Sequence, residues 1–206
     1  PDVYQLMRAD AEKPGLFDAI APVYGLFYGL QKRRYSQLLD KHATALGLDQ
    51  ILSAVDIGCG TGALCAALFA LGIDVTGVDP AEKMLKAGRS KAGNSGICFL
   101  QADVLKPLFF PDKSFDAAFA SHVAHGFSRE GRQILYAEMR RVSRRTVILY
   151  DYHANRAPLV AFIEKLEGGD YLRFMKEADG ELRTAFPKVQ VIRAGKHSSW
   201  YVCSLV

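Results

Sequence analysis

The sequence predicts an α/β protein whose mostly parallel sheet is covered by helices on both faces. Three observations carry this. From Ile51 onward, short apolar runs alternate with amphipathic segments, the pattern of strands buried on both faces and joined by crossover helices. One strand-to-helix junction, Asp56-Ile57-Gly58-Cys59-Gly60-Thr61-Gly62, is dense in glycine. Finally, 206 residues, 50% hydrophobic and 23% charged, suit one ordinary globular core, so residues 1–206 read as a single domain without repeats or a low-complexity linker.

The elements follow in order. Residues 1 to about 50 read as a helical cap, because Tyr35, Leu38, Leu39, His42 and Leu46 recur near the helical period after an irregular Lys13-Pro14-Gly15 break. Leu52 to Ile57 is a first strand, Gly62 to Leu71 a helix, Asp74 to Val78 a second strand and Ala81 to Lys91 a second helix. Ile97 to Ala102 and Phe115 to Ala120 are strands, Glu130 to Val142 a helix, and Thr146 to Tyr152 a fifth strand. Leu159 to Leu166 and Tyr171 to Phe186 have helical texture, and Val189 to Ala194 and Ser199 to Leu205 read as two closing strands.

Composition removes several function classes. A net charge of +4 falls far short of a dense phosphate-binding surface, so nucleic acid is not expected as a partner. Apolar stretches such as Ala63 to Val78 are interrupted by Gly or Asp before they reach the roughly 20 residues of a membrane span. Pro1-Asp2-Val3-Tyr4-Gln5 has neither a basic start nor an apolar signal core, and a cytoplasmic protein is expected; the absent initiator Met suggests a trimmed start. The four cysteines, Cys59, Cys65, Cys98 and Cys203, form no C-x-x-C pair and read as reduced, mostly buried thiols. The five histidines show no metal-binding helix pattern, so no metal is expected.

The chemistry concentrates in the glycine loop. Glycine is needed there where φ turns positive or a ligand approaches the backbone, and the helix start offers unpaired N–H groups. Gly58-x-Gly60-x-x-Ala63 also satisfies a dinucleotide fingerprint, and Asp79 lies 79 − 60 = 19 residues beyond Gly60, near the spacing of a ribose-binding carboxylate, so the loop alone fits either cofactor. Asp56 favours the other side. A carboxylate inside a buried strand is costly without a partner, so it is expected to face a cation or several donors, and it would repel a pyrophosphate. S-adenosylmethionine brings an ammonium, a sulfonium and a ribose diol to match Asp79.

Val55-Asp56-Ile57-Gly58-Cys59-Gly60-Thr61-Gly62 and Gly77-Val78-Asp79-Pro80-Ala81-Glu82-Lys83-Met84-Leu85 resemble the cofactor site of class I S-adenosylmethionine-dependent methyltransferases. Gln101-Ala102-Asp103-Val104 and Phe115-Asp116-Ala117-Ala118-Phe119-Ala120-Ser121 extend the resemblance. It implies a doubly wound, Rossmann-like, mostly parallel seven-stranded sheet in the order 3-2-1-4-5-7-6. It further implies that Gly58, Cys59 and Gly60 face the methionine part, above Asp56, and that Asp79, followed by Pro80, meets the ribose. Asp103 and the Val104 backbone would hold the adenine amino group, with Met84 on the adenine face and Ser121 at the end of the fourth strand beside the cofactor. Asp103 equally fits a turn starter, and Met84 equally fits core filling. Phe17-Asp18-Ala19-Ile20-Ala21-Pro22-Val23-Tyr24 resembles the entry of the subfamily that includes ubiquinone and menaquinone C-methyltransferases, where the Tyr helps close the site; Tyr24 is the matching lid contact and equally fits a helix-packing aromatic.

Two departures qualify the match. The usual Leu-Lys-Pro-Gly-Gly turn before the fifth strand is replaced by Glu138-Met139-Arg140-Arg141-Val142-Ser143-Arg144-Arg145-Thr146, read as a shortened, basic turn suited to a helix C-terminus. The quinone-type pattern after the fourth strand is absent. Ser121-His122-Val123-Ala124-His125 falls at the carboxyl edge of the sheet, where open α/β sheets bind ligands, and offers His122 near the cofactor and His125 as a base facing the acceptor. Both histidines equally fit loop residues without a proton-transfer role. Tyr28, Tyr152 and His153 complete the expected acceptor pocket, while Trp200 reads as core or interface. The sequence therefore points to an S-adenosylmethionine-dependent methyltransferase, yielding S-adenosylhomocysteine, that acts on a small-molecule acceptor. The alternatives are a non-catalytic cofactor-binding module and, further behind, a nicotinamide-dependent oxidoreductase. Oligomeric state is not legible in the sequence.

Overall fold

A computed structural model describes residues 16–153 and 171–205, with side chains over 27–153 and 173–205. The expected helix at Leu159 to Leu166 and the side chain of Tyr24 lie outside the described residues. Seven strands form one sheet: β1 (Ser53–Ile57), β2 (Asp74–Asp79), β3 (Cys98–Gln101), β4 (Phe115–Ser121), β5 (Ser143–Tyr152), β6 (Lys188–Arg193) and β7 (Ser198–Ser204). Their order is β3-β2-β1-β4-β5-β7-β6, as the resemblance implied. The pairs from β3 through β5 are parallel, and β7 inserts antiparallel between β5 and β6. The C-terminal ends of the parallel strands β1 to β5 therefore share one edge.

Alternation along the strands feeds two cores. On β1, Ala54 belongs to one core and Val55 to the other; on β4, Ala117 and Phe119 face one way and Ala118 and Ala120 the other. The first core packs under α1 (Leu16–Leu46) and α2 (Ala63–Phe69), flanked by α3 (Glu82–Arg89). Trp200, fully buried, lies in this core with its ring 4.5 Å from that of Tyr150. The second core lies under α4 (Arg129–Val142) and α5 (Tyr171–Ala185). Ser128 caps α4 by accepting from Gly131 N–H, and Leu135, Met139 and Val142 recur at helical spacing on its buried face. Arg132, wholly buried, clamps α4 to α5 with two 2.8 Å bonds to Glu181 and a third to Phe127 O.

One expectation is corrected. No basic turn separates α4 from the fifth strand, because α4 ends at Val142 and β5 starts at Ser143. One extra residue of β5 is absorbed by a register shift, with Phe115 opposite Ser143 but Ala117 opposite Thr146. The arginines brace this junction. Arg141 bonds to Glu138, Asp112 and the carbonyls of Leu108 and Phe110, while Arg144 bonds to Asp116, Lys113 O and Ser53 Oγ. Asp116 also receives Leu52 N–H and Ser53 N–H at the start of β1, a structural task away from the ligand edge. Of the cysteines, Cys59, Cys65 and Cys203 are buried free thiols and Cys98 is exposed. No helix among the described residues is long and apolar enough to cross a membrane.

Candidate functional site

The loop after β1 is pinned to the end of β2. Gly58 N–H and Cys59 N–H both donate to Val78 O, at 2.8 and 3.0 Å. Asp79 then receives Gly60 N–H on Oδ2 and Ala81 N–H on Oδ1, each at 2.8 Å. Gly58 has φ +71, and a Cβ there would fall 2.5 Å from a methyl of Val123, so any other residue is strained and must displace that side chain. At Gly60, φ is +55 and a Cβ would point into open space, the room a ligand lying on this loop needs.

Asp56 sits beneath the loop, 1% exposed. Its Oδ2 accepts from Cys65 Sγ at 3.2 Å, whereas its Oδ1 is buried with no hydrogen-bond partner among the described residues. Burial raises its pKa to about 7 against the Cys65 hydrogen bond, and the nearby Asp79 charge adds to the rise. The same burial pushes the Cys59 thiol up to about 11, so it stays neutral. A carboxyl with one oxygen lacking a donor, next to an open glycine loop, is suited to meet a cationic group.

The other expected cofactor residues are distributed along the same edge. Pro80 follows Asp79 and its carbonyl accepts from Gln101 Nε2. Asp103 follows β3 and binds Leu105 N–H at 3.0 Å, the turn-starting role that was one of its two readings. Val104 buries its side chain in the second core, which leaves its backbone for any ligand contact, and Met84 on α3 is 2% exposed. Ser121 ends β4, and its hydroxyl lies 2.7 Å from that of Tyr35, so α1 reaches over this edge.

Beyond Ser121 the chain turns sharply. His122 adopts φ +55, unusual for a residue with a ring, and its N–H donates to Tyr150 O at 2.8 Å, one step past the β4–β5 ladder. Its ring lies 4.9 Å from those of Tyr150 and Tyr152. His125 occupies the short 3-10 turn that follows, buried, with its ring 4.9 Å from Tyr152. Its Nδ1 is 2.6 Å from Asp151 Oδ1, and His122 Nδ1 is 3.9 Å from the same oxygen.

Asp151 is a buried acid at this edge that sequence reasoning did not single out. It is wholly buried near the end of β5 and also receives Tyr152 N–H at 2.8 Å and His125 N–H at 3.3 Å. Burial alone would raise its carboxyl, but the His125 charge and hydrogen bond, His122 and the Tyr152 amide outweigh it and hold the pKa at about 2. The signal was present: an acid inside the apolar run Val147-Ile148-Leu149-Tyr150-Asp151 carries the same implication as Asp56 inside β1.

Of the expected acceptor residues, the structure brings Tyr152 to the histidines and leaves His153 one residue further on, its N–H bonded to His197 O. Burial lowers the His153 pKa, helped by Arg193 and His197. Tyr28 is not brought to the histidines: its hydroxyl donates to Asn94 Oδ1 at 2.7 Å, and Asn94 in turn donates to Thr61 O and Gly88 O, which ties α1 to α3. His122, His125 and Asp151 offer ligand atoms within 4.8 Å of one another, a grouping that no helical metal motif in the sequence announces. Their geometry is that of a hydrogen bond, since two ligands about 2.1 Å from a tetrahedral metal stand roughly 3.3 Å apart, further than the 2.6 Å between His125 and Asp151.

Comparison with known proteins agrees with this geometry. The methyltransferase domain family matches residues 55–150. A demethylmenaquinone methyltransferase of Clavibacter sepedonicus is 36% identical over 124 residues, 56% of this chain and 50% of that protein. A ubiquinone biosynthesis O-methyltransferase of Rhodopseudomonas palustris is 31% identical over 84 residues, 41% of this chain and 33% of its own length. The chain thus spans half or less of these two curated relatives. The fold is shared with the crystal structure of an S-adenosylmethionine-dependent methyltransferase from Aquifex aeolicus, with a TM-score of 0.62 at 19% identity over 81% of this chain and 89% of that one. The glycine loop and the acids at the ends of β1 and β2 thus lie within a segment, residues 55–150, that matches the methyltransferase domain family.

Proposed function

We propose that this chain binds S-adenosylmethionine across the ends of β1, β2 and β4 and transfers its methyl group to a small-molecule acceptor held over the ends of β4 and β5. The observation that carries the proposal is Asp56, a buried carboxyl with an orphaned oxygen beneath a glycine loop with open space above Gly60. That charge suits the ammonium and sulfonium groups of this cofactor and opposes the pyrophosphate of a nicotinamide dinucleotide. The bound cofactor supplies an activated methyl group on a cationic sulfur, which loses its charge as the methyl leaves.

The chain's own residues orient and desolvate. Gly58, Cys59 and Gly60 present backbone to the methionine part, Asp79 and Pro80 flank the ribose, and Asp103, Val104 and Met84 enclose the adenine. Ser121, Tyr24 and the rest of α1 close the edge from above. Alignment in a dry pocket supplies much of the acceleration of a displacement at carbon, so no further machinery is required for an acceptor that is already nucleophilic. His122 and His125 contact the acceptor, with Tyr152 and His153 as its further walls.

Incubation with methyl-labelled cofactor and a panel of small hydroxylated, enolic and amine acceptors tests the proposal. Label should appear on an acceptor with one S-adenosylhomocysteine formed per methyl moved. Tight cofactor binding with no label moved across the panel favours the non-catalytic binding module.

A further inference from the structure

We infer that Asp151 is a positioning residue that presets His125 as a proton acceptor at Nε2. An ionised carboxylate can only accept hydrogen bonds, so the 2.6 Å contact requires the proton to reside on His125 Nδ1. The neutral ring then carries its lone pair on Nε2, and the tautomer is fixed before any substrate arrives. Three donors hold Asp151 in place: the His125 ring, the His125 amide and the Tyr152 amide. With both residues buried, the pair has little freedom to exchange partners with water.

The surroundings favour a charged product state on this ring. The groups facing the pair are His122 from the loop after β4, Tyr152 from β5 itself, Tyr201 from β7, Tyr136 from α4 and the uncharged ring of Phe174 from α5. Tyr201 donates to Tyr152 O at 2.9 Å, and burial pushes both the Tyr201 and Tyr136 hydroxyls far above neutrality, so neither competes for the proton. When Nε2 takes a proton from an acceptor hydroxyl or acidic C–H, the electron pair left on that oxygen or carbon becomes the nucleophile. The imidazolium so formed lies against Asp151, which offsets its charge. The use assigned to this dyad rests on the proposed methyl-transfer site, but its existence does not.

Nitrogen-15 NMR of the imidazoles tests it without any acceptor. In the wild-type protein, His125 should show a protected, strongly downfield Nδ1–H proton and an unprotonated Nε2 above its pKa. In Asp151→Asn that proton should be lost and the His125 pKa should fall by at least one unit, with S-adenosylmethionine affinity within about threefold of wild type. If the variant does not fold, the wild-type tautomer still decides. An Nε2–H tautomer in the wild-type protein, or a His125 pKa unmoved in Asp151→Asn, overturns the inference. Saturable Co²⁺ binding with visible absorption bands, abolished in Asp151→Asn, also overturns it by making the trio a metal centre. A preset tautomer in a protein that binds no S-adenosylmethionine leaves the dyad standing and refutes only the cofactor proposal.

Discussion

Asp79 at the end of β2 accepts the amide of Gly60, 2.8 Å away across the mouth of the β1 loop. The same carboxylate holds Ala81 N–H, so one side chain sets both the shape of the glycine loop and the entry into α3. Asp79→Ala leaves both amides without their charged acceptor, at about 1.5–3 kcal/mol for each charged hydrogen bond. Calorimetric titration should find S-adenosylmethionine affinity reduced by about 100-fold or more, near 3 kcal/mol. Affinity within threefold of wild type would show that Asp79 serves only the loop.

Asp56 makes the protein pay for its site in stability, and the sign is set by its raised pKa. In the unfolded chain it titrates near its ordinary value of 3.8; in the fold it titrates at about 7. The native state therefore holds the extra proton between those values, so stability is highest at acidic pH and declines as pH rises from about 4 to 7. Asp56→Asn should lack this decline and be more stable than wild type at pH 8, by up to roughly 4 kcal/mol from about three pKa units, and so melt higher there. The variant should also bind the cofactor more weakly. Thermal unfolding at pH 4.5 and 8 checks this, and a wild-type-to-variant difference independent of pH would contradict it.

Gly58→Ala should lower stability by about 2 kcal/mol or more, combining a left-handed φ with the collision against Val123. Adding Val123→Ala should recover the collision but not the backbone strain. Denaturant titration of both variants separates the two, and a double variant no better than the single would place the whole cost in φ.

The buried Arg132–Glu181 pair fixes α5, and with it Phe174, against the histidine cluster. Arg132→Ala strands Glu181 and should cost roughly 3–5 kcal/mol, whereas replacing both partners with apolar residues of similar volume should cost much less. Equal losses in the two variants, read by chemical denaturation, would contradict this.

How far the sequence could be read depended on how local each determinant is. Every strand was visible because period and turn chemistry act over a few residues, as in Val75 to Val78 bounded by Gly72 and Pro80. The junction at Ser143 was not, because its length is set by a register shift against Phe115 and by Arg144 reaching Asp116, both long-range facts. In the candidate site, Asp56 and the glycines fall within seven residues and Asp79 closes the next strand, a pattern local enough to single out. Asp151 joins this edge only through its contact with His125, 26 residues away, and the bond of Tyr28 to Asn94 likewise spans 66 residues.

The central claim, that a cationic adenosyl cofactor lies over Asp56 and Asp79, is tested most directly by calorimetric titration with S-adenosylmethionine, S-adenosylhomocysteine and NADH on wild type and Asp79→Ala. The account predicts that the first two bind the wild-type protein at micromolar Kd or tighter, roughly −8 kcal/mol, and lose that binding in the variant. Binding of NADH alone, or equal affinity of all three for wild type and variant, would contradict it.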